Sequence, residues 1–171
     1  MSKWWVLTVM LWLGGCAVRP SAPPPLQLLS MAGAPHETGV LKQKVTLQKT
    51  RAVHFISVLR FDRQGLQGVI LLPTGQTVLN YRYAEQLQTT PAHPQLPVQD
   101  MLALLQFALW PATALQAYPE ANAGWRLQLS ETQRQLFWYE QPVLRVRYEH
   151  EQIDIDNYQK GYSLHVENLG S

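Results

Sequence analysis

The sequence predicts an α+β fold, in which one or two helices lie in the concave face of a curved antiparallel sheet, or half-barrel, of about nine strands. Most of the chain after residue 40 alternates between apolar and polar residues, a period that is typical of half-exposed strands. Short turns join these segments, which indicates antiparallel neighbours. One apolar segment with helical spacing interrupts them. A sheet of this length usually curls, and a helix with so wide an apolar face must lie in the hollow.

Four strands are predicted before this helix. They span Val40–Gln48, Val53–Phe61, Gly68–Leu72 and Gln76–Tyr83. In the first strand Leu41 and Val45 share one face, and Lys42 lies on the other. The turn residues Asp62–Gly65 separate the second strand from the third. Residues 89–97 contain three prolines and are predicted to form an irregular connection.

The helix is predicted over Val98–Trp110. Its apolar residues recur at helical spacing, at Val98, Met101, Leu102, Leu105, Ala108 and Leu109. Pro97 suits the first helical position, and Pro111 ends the helix. A short second helix is predicted over residues 112–118, closed by Pro119. The remaining strands are predicted at residues 125–129, 133–139, 143–148, 153–156 and 162–167.

The composition indicates one folded domain. Hydrophobic residues make up 46% of the 171 residues and charged residues 15%, a balance that disordered chains do not have. The net charge of +2 is small and the basic residues are scattered, so we expect no binding to nucleic acid. The chain has one cysteine and so forms no internal disulfide, which means that its stability must come from packing.

The first sixteen residues have the organisation of a secretory signal. Lys3 gives a positive start, and the uncharged run Trp4–Leu13 is shorter than the roughly 20 residues that a helix needs to span a bilayer. The run ends in Leu-Gly-Gly-Cys16, which resembles a bacterial lipoprotein box. The resemblance implies that residues 1–15 are removed and that Cys16 carries fatty acyl chains such as palmitate. A buried structural cysteine that follows two glycines is the alternative.

Residues 16–39 are predicted to form an acylated, Pro-rich tether, and residues 40–171 a single domain. Five prolines between residues 20 and 35 disfavour regular structure. A short element that docks on the domain is the alternative for the apolar residues Leu26, Leu28, Leu29 and Met31. Ala17 stands where an aspartate retains enterobacterial lipoproteins in the inner membrane, so the expected location is the periplasmic face of the outer membrane.

No catalytic site is predicted, and neither a metal nor a cofactor. The sequence lacks Gly-x-Ser-x-Gly and His-Glu-x-x-His, so the common hydrolase signatures are absent. The five histidines are dispersed. Asp154 and Asp156 resemble the start of a calcium loop, but Tyr158 stands at the third ligand position. Two aspartates on the outer face of a strand are the better interpretation, and we expect a protein that is not an enzyme.

The large apolar side chains of the helix and the sheet are the remaining candidates for a function. Those predicted to line an apolar cavity are Tyr81, Leu104, Leu105, Phe107, Trp110, Trp125, Leu136, Trp138 and Tyr162. The alternative is that these side chains fill the core. The sequence pattern is the same whether the hollow is filled or empty.

Two segments carry a resemblance to a known family. One is the central segment at residues 104–111, Leu-Leu-Gln-Phe-Ala-Leu-Trp-Pro, and the other is the closing segment at residues 157–164, Asn-Tyr-Gln-Lys-Gly-Tyr-Ser-Leu. The lipoprotein box and the strand pattern are further points of resemblance. Together they resemble an uncharacterised family of proteobacterial lipoproteins associated with aryl polyene gene clusters. The resemblance implies a fold similar to that of the lipoprotein carriers LolA and LolB. The exposed leucine loop by which LolB works on membranes has no clear match.

These observations favour a monomeric carrier without enzymatic activity. We expect a periplasmic protein that is anchored in the outer membrane through Cys16 and binds an acyl or polyene lipid in its half-barrel. The alternative is a structural or assembly lipoprotein that binds a protein partner. A co-purifying lipid favours the first hypothesis, and a dry, closed interior the second.

Overall fold

A computed structural model describes residues 22–35, 39–62, 64–90 and 97–170. The ten strands of this part are β1 Gly39–Gln48, β2 Ala52–Asp62, β3 Gly65–Leu71, β4 Thr77–Tyr83, β5 Leu87–Thr90, β6 Trp125–Leu129, β7 Gln133–Trp138, β8 Gln141–Glu149, β9 Gln152–Asn157 and β10 Tyr162–Asn168. The helices are α1 Val98–Leu109 and α2 Ala117–Ala121, and single 3-10 turns lie at Met31–Gly33 and Ala114–Gln116. The fold is therefore α+β.

All ten strands form one curved antiparallel sheet in the order β5-β4-β3-β2-β1-β10-β9-β8-β7-β6. The sheet consists of two five-stranded meanders, which join where β1 pairs with β10 and Val45 faces Val166. The edge strands β5 and β6 end the order at opposite sides, so the sheet is not closed. Because α1 connects these two edges in sequence, the chain has to cross the open side of the sheet between them.

Helix α1 lies against the sheet, since Val98, Met101, Leu102 and Leu105 line a cavity together with side chains of six strands. Of the predicted apolar face, Met101, Leu105 and Leu109 are only half-buried.

The end of α1 is fixed by two strands of the second meander: Arg134 on β7 donates to the carbonyl oxygens of Phe107 and Trp110 at 2.8 and 2.7 Å. The hydroxyl of Tyr148 on β8 donates to the carbonyl of Ala108 at 2.6 Å. These donors satisfy carbonyls that the last turn of a helix leaves unpaired, and the guanidinium complements the negative end of the helix dipole.

The nine predicted strands are present, with borders within three residues of the predicted ones, and three further findings differ from the prediction. Strand β5 was not predicted, because Leu87–Thr90 is short and polar. It pairs with β4 through its backbone, and the Asn80 side chain donates to the Thr90 carbonyl at 3.5 Å. Strand β3 starts at Gly65 instead of Gly68, since Gly65 takes a φ of 136° that shortens the turn. Pro119 lies inside α2 and does not close the second helix, because the first turn of a helix needs no backbone N–H.

Residues 22–35 were predicted to belong to the tether, with an element that docks on the domain as the alternative. Leu26 and Leu29 are only 3% and 2% exposed and belong to the core, so the docking alternative describes this segment. The segment is extended apart from the turn Met31–Gly33. We call residues 22–35 the strap. The signal peptide, Cys16 and Ala17 lie outside the described residues.

Candidate functional site

A small cavity lies between the first half of α1 and the concave face of the sheet. Its volume is about 40 Å³, which is room for a few waters, each of which needs about 10–15 Å³ on this scale. The lining residues come from α1 and six strands, and they are Gln43, Val45, Phe55, Ser57, Ile70, Tyr81, Val98, Met101, Leu102, Leu105, Ile155, Leu164 and Val166. None of these described residues is charged, so the cavity suits apolar groups and neutral polar groups.

Three neutral polar side chains meet in the wall of this cavity. Tyr81 of β4 lies flat over Gly68, where an added Cβ would come 2.1 Å from the tyrosine Cζ, so the glycine makes room for the ring. Burial raises the pKa of Tyr81 well above its usual value, and a hydrogen bond with Ser57 offsets part of the rise. Gln43 of β1 is the cross-strand partner of Ser57. We call Gln43, Ser57 and Tyr81 the polar row.

The strap fills the neighbouring part of the hollow, and a buried glutamine holds its backbone. Gln106 of α1 is fully buried, accepts a hydrogen bond from the Leu29 backbone N–H at 2.8 Å and donates to the Leu29 carbonyl at 2.9 Å. The same carbonyl accepts a bond from the hydroxyl of Tyr83 at 2.9 Å. Gln106 therefore pairs with the strap as a neighbouring strand would.

Further contacts fix the path of the strap across the open side of the sheet. Gln159, in the turn between β9 and β10, donates to the carbonyls of Pro23 and Pro24 at 2.8 and 3.1 Å. Tyr118 of α2 donates to the carbonyl of Gln27 at 3.1 Å. Trp110 donates through its indole N–H to the carbonyl of Ser30 at 3.1 Å. These bonds all end on backbone carbonyls of the strap. The strap thus makes its polar contacts through carbonyls and its apolar contacts through leucine side chains.

An aromatic cluster joins the two helices to the second meander. Phe107 packs against Tyr118, Tyr118 against Trp125, and Trp125 against Trp138, with ring centroids 5.8, 5.7 and 5.0 Å apart. Edge-to-face contacts of this kind add to the stability that burial of the rings provides. Trp110 lies apart from this chain of rings and packs against Phe61, with the centroids 6.0 Å apart.

Of the predicted cavity residues, Tyr81 and Leu105 line the cavity. Leu104, Phe107, Trp110 and Leu136 are fully buried, and Trp125 and Trp138 are buried in the aromatic cluster. Tyr162 is half-buried, and burial raises its pKa. These other residues form the core of the domain, which is the alternative that the sequence left open.

Three buried polar side chains at the site were not predicted from the sequence. Gln43, Ser57 and Gln106 are buried. The available signal was a polar residue at a position whose neighbours on the same face are apolar, as Gln43 is between Leu41 and Val45. Such positions carry partners or ligands, because burying an unpaired polar group is costly.

In residues 22–35, 39–62, 64–90 and 97–170, no three His, Cys, Asp or Glu side chains are placed to hold a metal ion. Over the same ranges no helix has the length and apolar character needed to cross a membrane.

Comparison with known families identifies the domain. A model of the family DUF3261, described as a protein of unknown function, matches residues 40–170. The chain belongs to the DUF3261 family. The match begins at the second residue of β1, so it covers the sheet and helices of this DUF3261 protein and leaves out the strap. No curated protein matches the sequence.

Proposed function

We propose that this DUF3261 protein is a lipid-binding lipoprotein without enzymatic activity, anchored through acylated Cys16 at the periplasmic face of the outer membrane. Its unclosed sheet is a half-barrel of the LolA/LolB kind, and its hollow holds the acyl or polyene chain of a lipid. The apolar, uncharged lining around α1 is the single observation that carries this proposal.

The strap is the element that has to move when a chain binds. The cavity of about 40 Å³ is far too small for an acyl chain, because pockets for ligands of that size hold about 300–1,000 Å³. The strap occupies the adjoining hollow with two leucine side chains, Leu26 and Leu29. A lipid chain that takes their place restores the apolar contacts of the sheet and α1, which lowers the cost of displacing the strap.

The strap also determines how far the domain stands from its anchor. Ala22, the first residue of the strap, follows Cys16 by six positions along the chain. Such a segment reaches at most about 20 Å when fully extended. With Cys16 acylated, the proposed binding site therefore stays within reach of the bilayer surface, where its lipid would be taken up or released.

Uptake of a fluorescent fatty-acid analogue by the full chain carrying Cys16→Ala, purified without detergent, tests the proposal. We expect saturable binding at micromolar probe, and mass spectrometry should detect lipid in extracts of the same preparation. Leu105→Phe narrows the cavity and should weaken binding, whereas Leu129→Phe makes the same change on an exposed edge and should not. Lipid binding would be refuted if the folded Cys16→Ala protein takes up no probe, whether it keeps Leu105 or carries Leu105→Phe.

A second candidate function is assembly with a protein partner. Its support is the strap itself, because Gln106 and Tyr83 hold an extended peptide through its backbone. A partner's peptide offers the same groups as the strap. An interior that stays free of lipid, together with a peptide of residues 22–35 that binds to a chain lacking them, would favour this function over the first.

A further inference from the structure

Gln43 has an acceptor that nothing in the described chain uses. Its side chain is 1% exposed and lines the cavity. Its Nε2 donates to the Asn168 side chain at 3.1 Å, while its Oε1 has no hydrogen-bond partner among the described residues. A buried acceptor without a partner costs free energy, so such a group in a cavity indicates a bound donor.

The other members of the polar row lie beside this acceptor. Ser57 is the cross-strand neighbour of Gln43, and such neighbours have Cβ atoms about 4.5–5.5 Å apart. Tyr81 reaches towards Ser57 across Gly68 and hydrogen-bonds with it. The row thus offers one free amide oxygen next to two hydroxyl groups, each of which can donate or accept.

The charge of the lining limits which head group fits. No lysine or arginine is among the described residues of the cavity wall, so a carboxylate or phosphate would lose its hydration without gaining a cation. A hydroxyl group needs no counter-charge. It can donate to the Gln43 Oε1 and accept from a neighbouring hydroxyl, so it fits both kinds of group in the row.

We propose that the polar row recognises the hydroxyl group of a neutral amphiphile, a chain alcohol, whose apolar part continues into the hollow. This inference rests on the proposed function, because it names the head group of the ligand for the same hollow. The hydroxyl and the carbons next to it match the cavity of about 40 Å³, and the rest of the chain lies where the strap gives way.

Isothermal titration of the full chain carrying Cys16→Ala with three ligands of one size tests the assignment. The ligands are 1-octanol, its isomer 1-methoxyheptane, which lacks a donor, and octanoate, which is charged. We expect 1-octanol to bind about tenfold more tightly than the ether, as one hydrogen bond to a buried acceptor provides. Octanoate should bind more weakly than the alcohol.

The glutamine variant then assigns the preference to the polar row. Gln43→Leu should bring the affinity for 1-octanol down to that for the ether and leave the affinity for the ether unchanged. Gln67→Leu makes the same substitution at an exposed position of β3 and should keep the tenfold preference. The alcohol and the ether are also compared on the protein that keeps Gln43. The test therefore does not depend on whether Gln43→Leu folds.

Each outcome separates this inference from the proposed function. Equal binding of alcohol and ether would mean that the row holds only a structural water, which overturns the inference and leaves lipid binding intact. Octanoate binding as tightly as the alcohol would overturn the neutral head group. If neither the alcohol nor the ether binds and the fluorescent analogue also fails, the proposed function falls and the inference falls with it.

Discussion

Replacement of Gln106 by leucine should detach the strap, because this side chain makes two hydrogen bonds to it. The leucine has nearly the volume of glutamine and keeps α1 packed, but the Leu29 N–H loses its acceptor at 2.8 Å and stays buried. An unpaired buried donor costs about 1–3 kcal/mol, and the lost bond to the Leu29 carbonyl about 1 kcal/mol more. Tyr83 still donates to that carbonyl, so the cost on this side stays small.

The expected loss is therefore about 2–4 kcal/mol in the free energy that holds the strap. If the strap and the domain unfold together, the midpoint of thermal denaturation should fall by about 5–15 °C in a chain of this length. If the strap opens by itself, hydrogen exchange at the Leu29 amide should accelerate by about 30- to 1,000-fold with little change in the midpoint.

Circular dichroism and exchange measurements on one preparation distinguish these two cases. Gln128→Leu, the same substitution at an exposed position of β6, is the matched control and should change neither quantity. If the midpoint and the Leu29 exchange rate both stay as in the parent chain, Gln106 does not hold the strap. The other donors to the strap, which are Tyr83, Trp110, Tyr118 and Gln159, would then be sufficient to hold it.

Four further changes should have measurable effects. Cys16→Ser should release the protein from membranes, and its recovery in the pellet of a high-salt fractionation would contradict the anchor. Gly68→Val forces a side chain into the Tyr81 ring and should lower the unfolding free energy by about 1–3 kcal/mol or more in urea denaturation. Arg134→Met leaves the last turn of α1 without its donor and should cost about 1.5–3 kcal/mol by the same assay. Burial raises the pKa of Tyr148 from 10.0 to about 12, so stability present below pH 10 should be lost as the pH rises towards 12, with a smaller loss in Tyr148→Phe.

The elements that carry a strong local pattern could be predicted from the sequence. The alternation around Leu41 and the helical spacing from Val98 gave the strands and α1, because burial of one face imposes those periods. Strand β5 has no such pattern, since backbone pairing at an edge places little demand on side chains. The docking of the strap depends on Gln106 and Tyr83, which lie far from it in sequence, so no local pattern could choose between a tether and a docked segment.

The candidate site was harder to predict than the fold, for a related reason. Trp110, Trp125 and Trp138 drew attention because large aromatic residues favour pockets and cores alike. Which of the two they form depends on how closely α1 approaches the sheet, and that distance is set by packing that no residue encodes alone. The polar row was overlooked because Gln43 and Ser57 look like ordinary polar residues of a strand until their partners across the sheet are known.

The pairing of β1 with β10 has a consequence for synthesis and folding. The side chains of Gln43 and Asn168, which are bonded across this pair, are 125 residues apart in sequence. Each meander can form from local contacts as it leaves the ribosome or a translocation channel, but the central pair has to wait for the last residues of the chain. A chain cut short before Tyr162 would leave β1 and β9 with unpaired edges in the middle of the sheet. Such edges invite pairing with other copies, so the final strand protects the protein from aggregation.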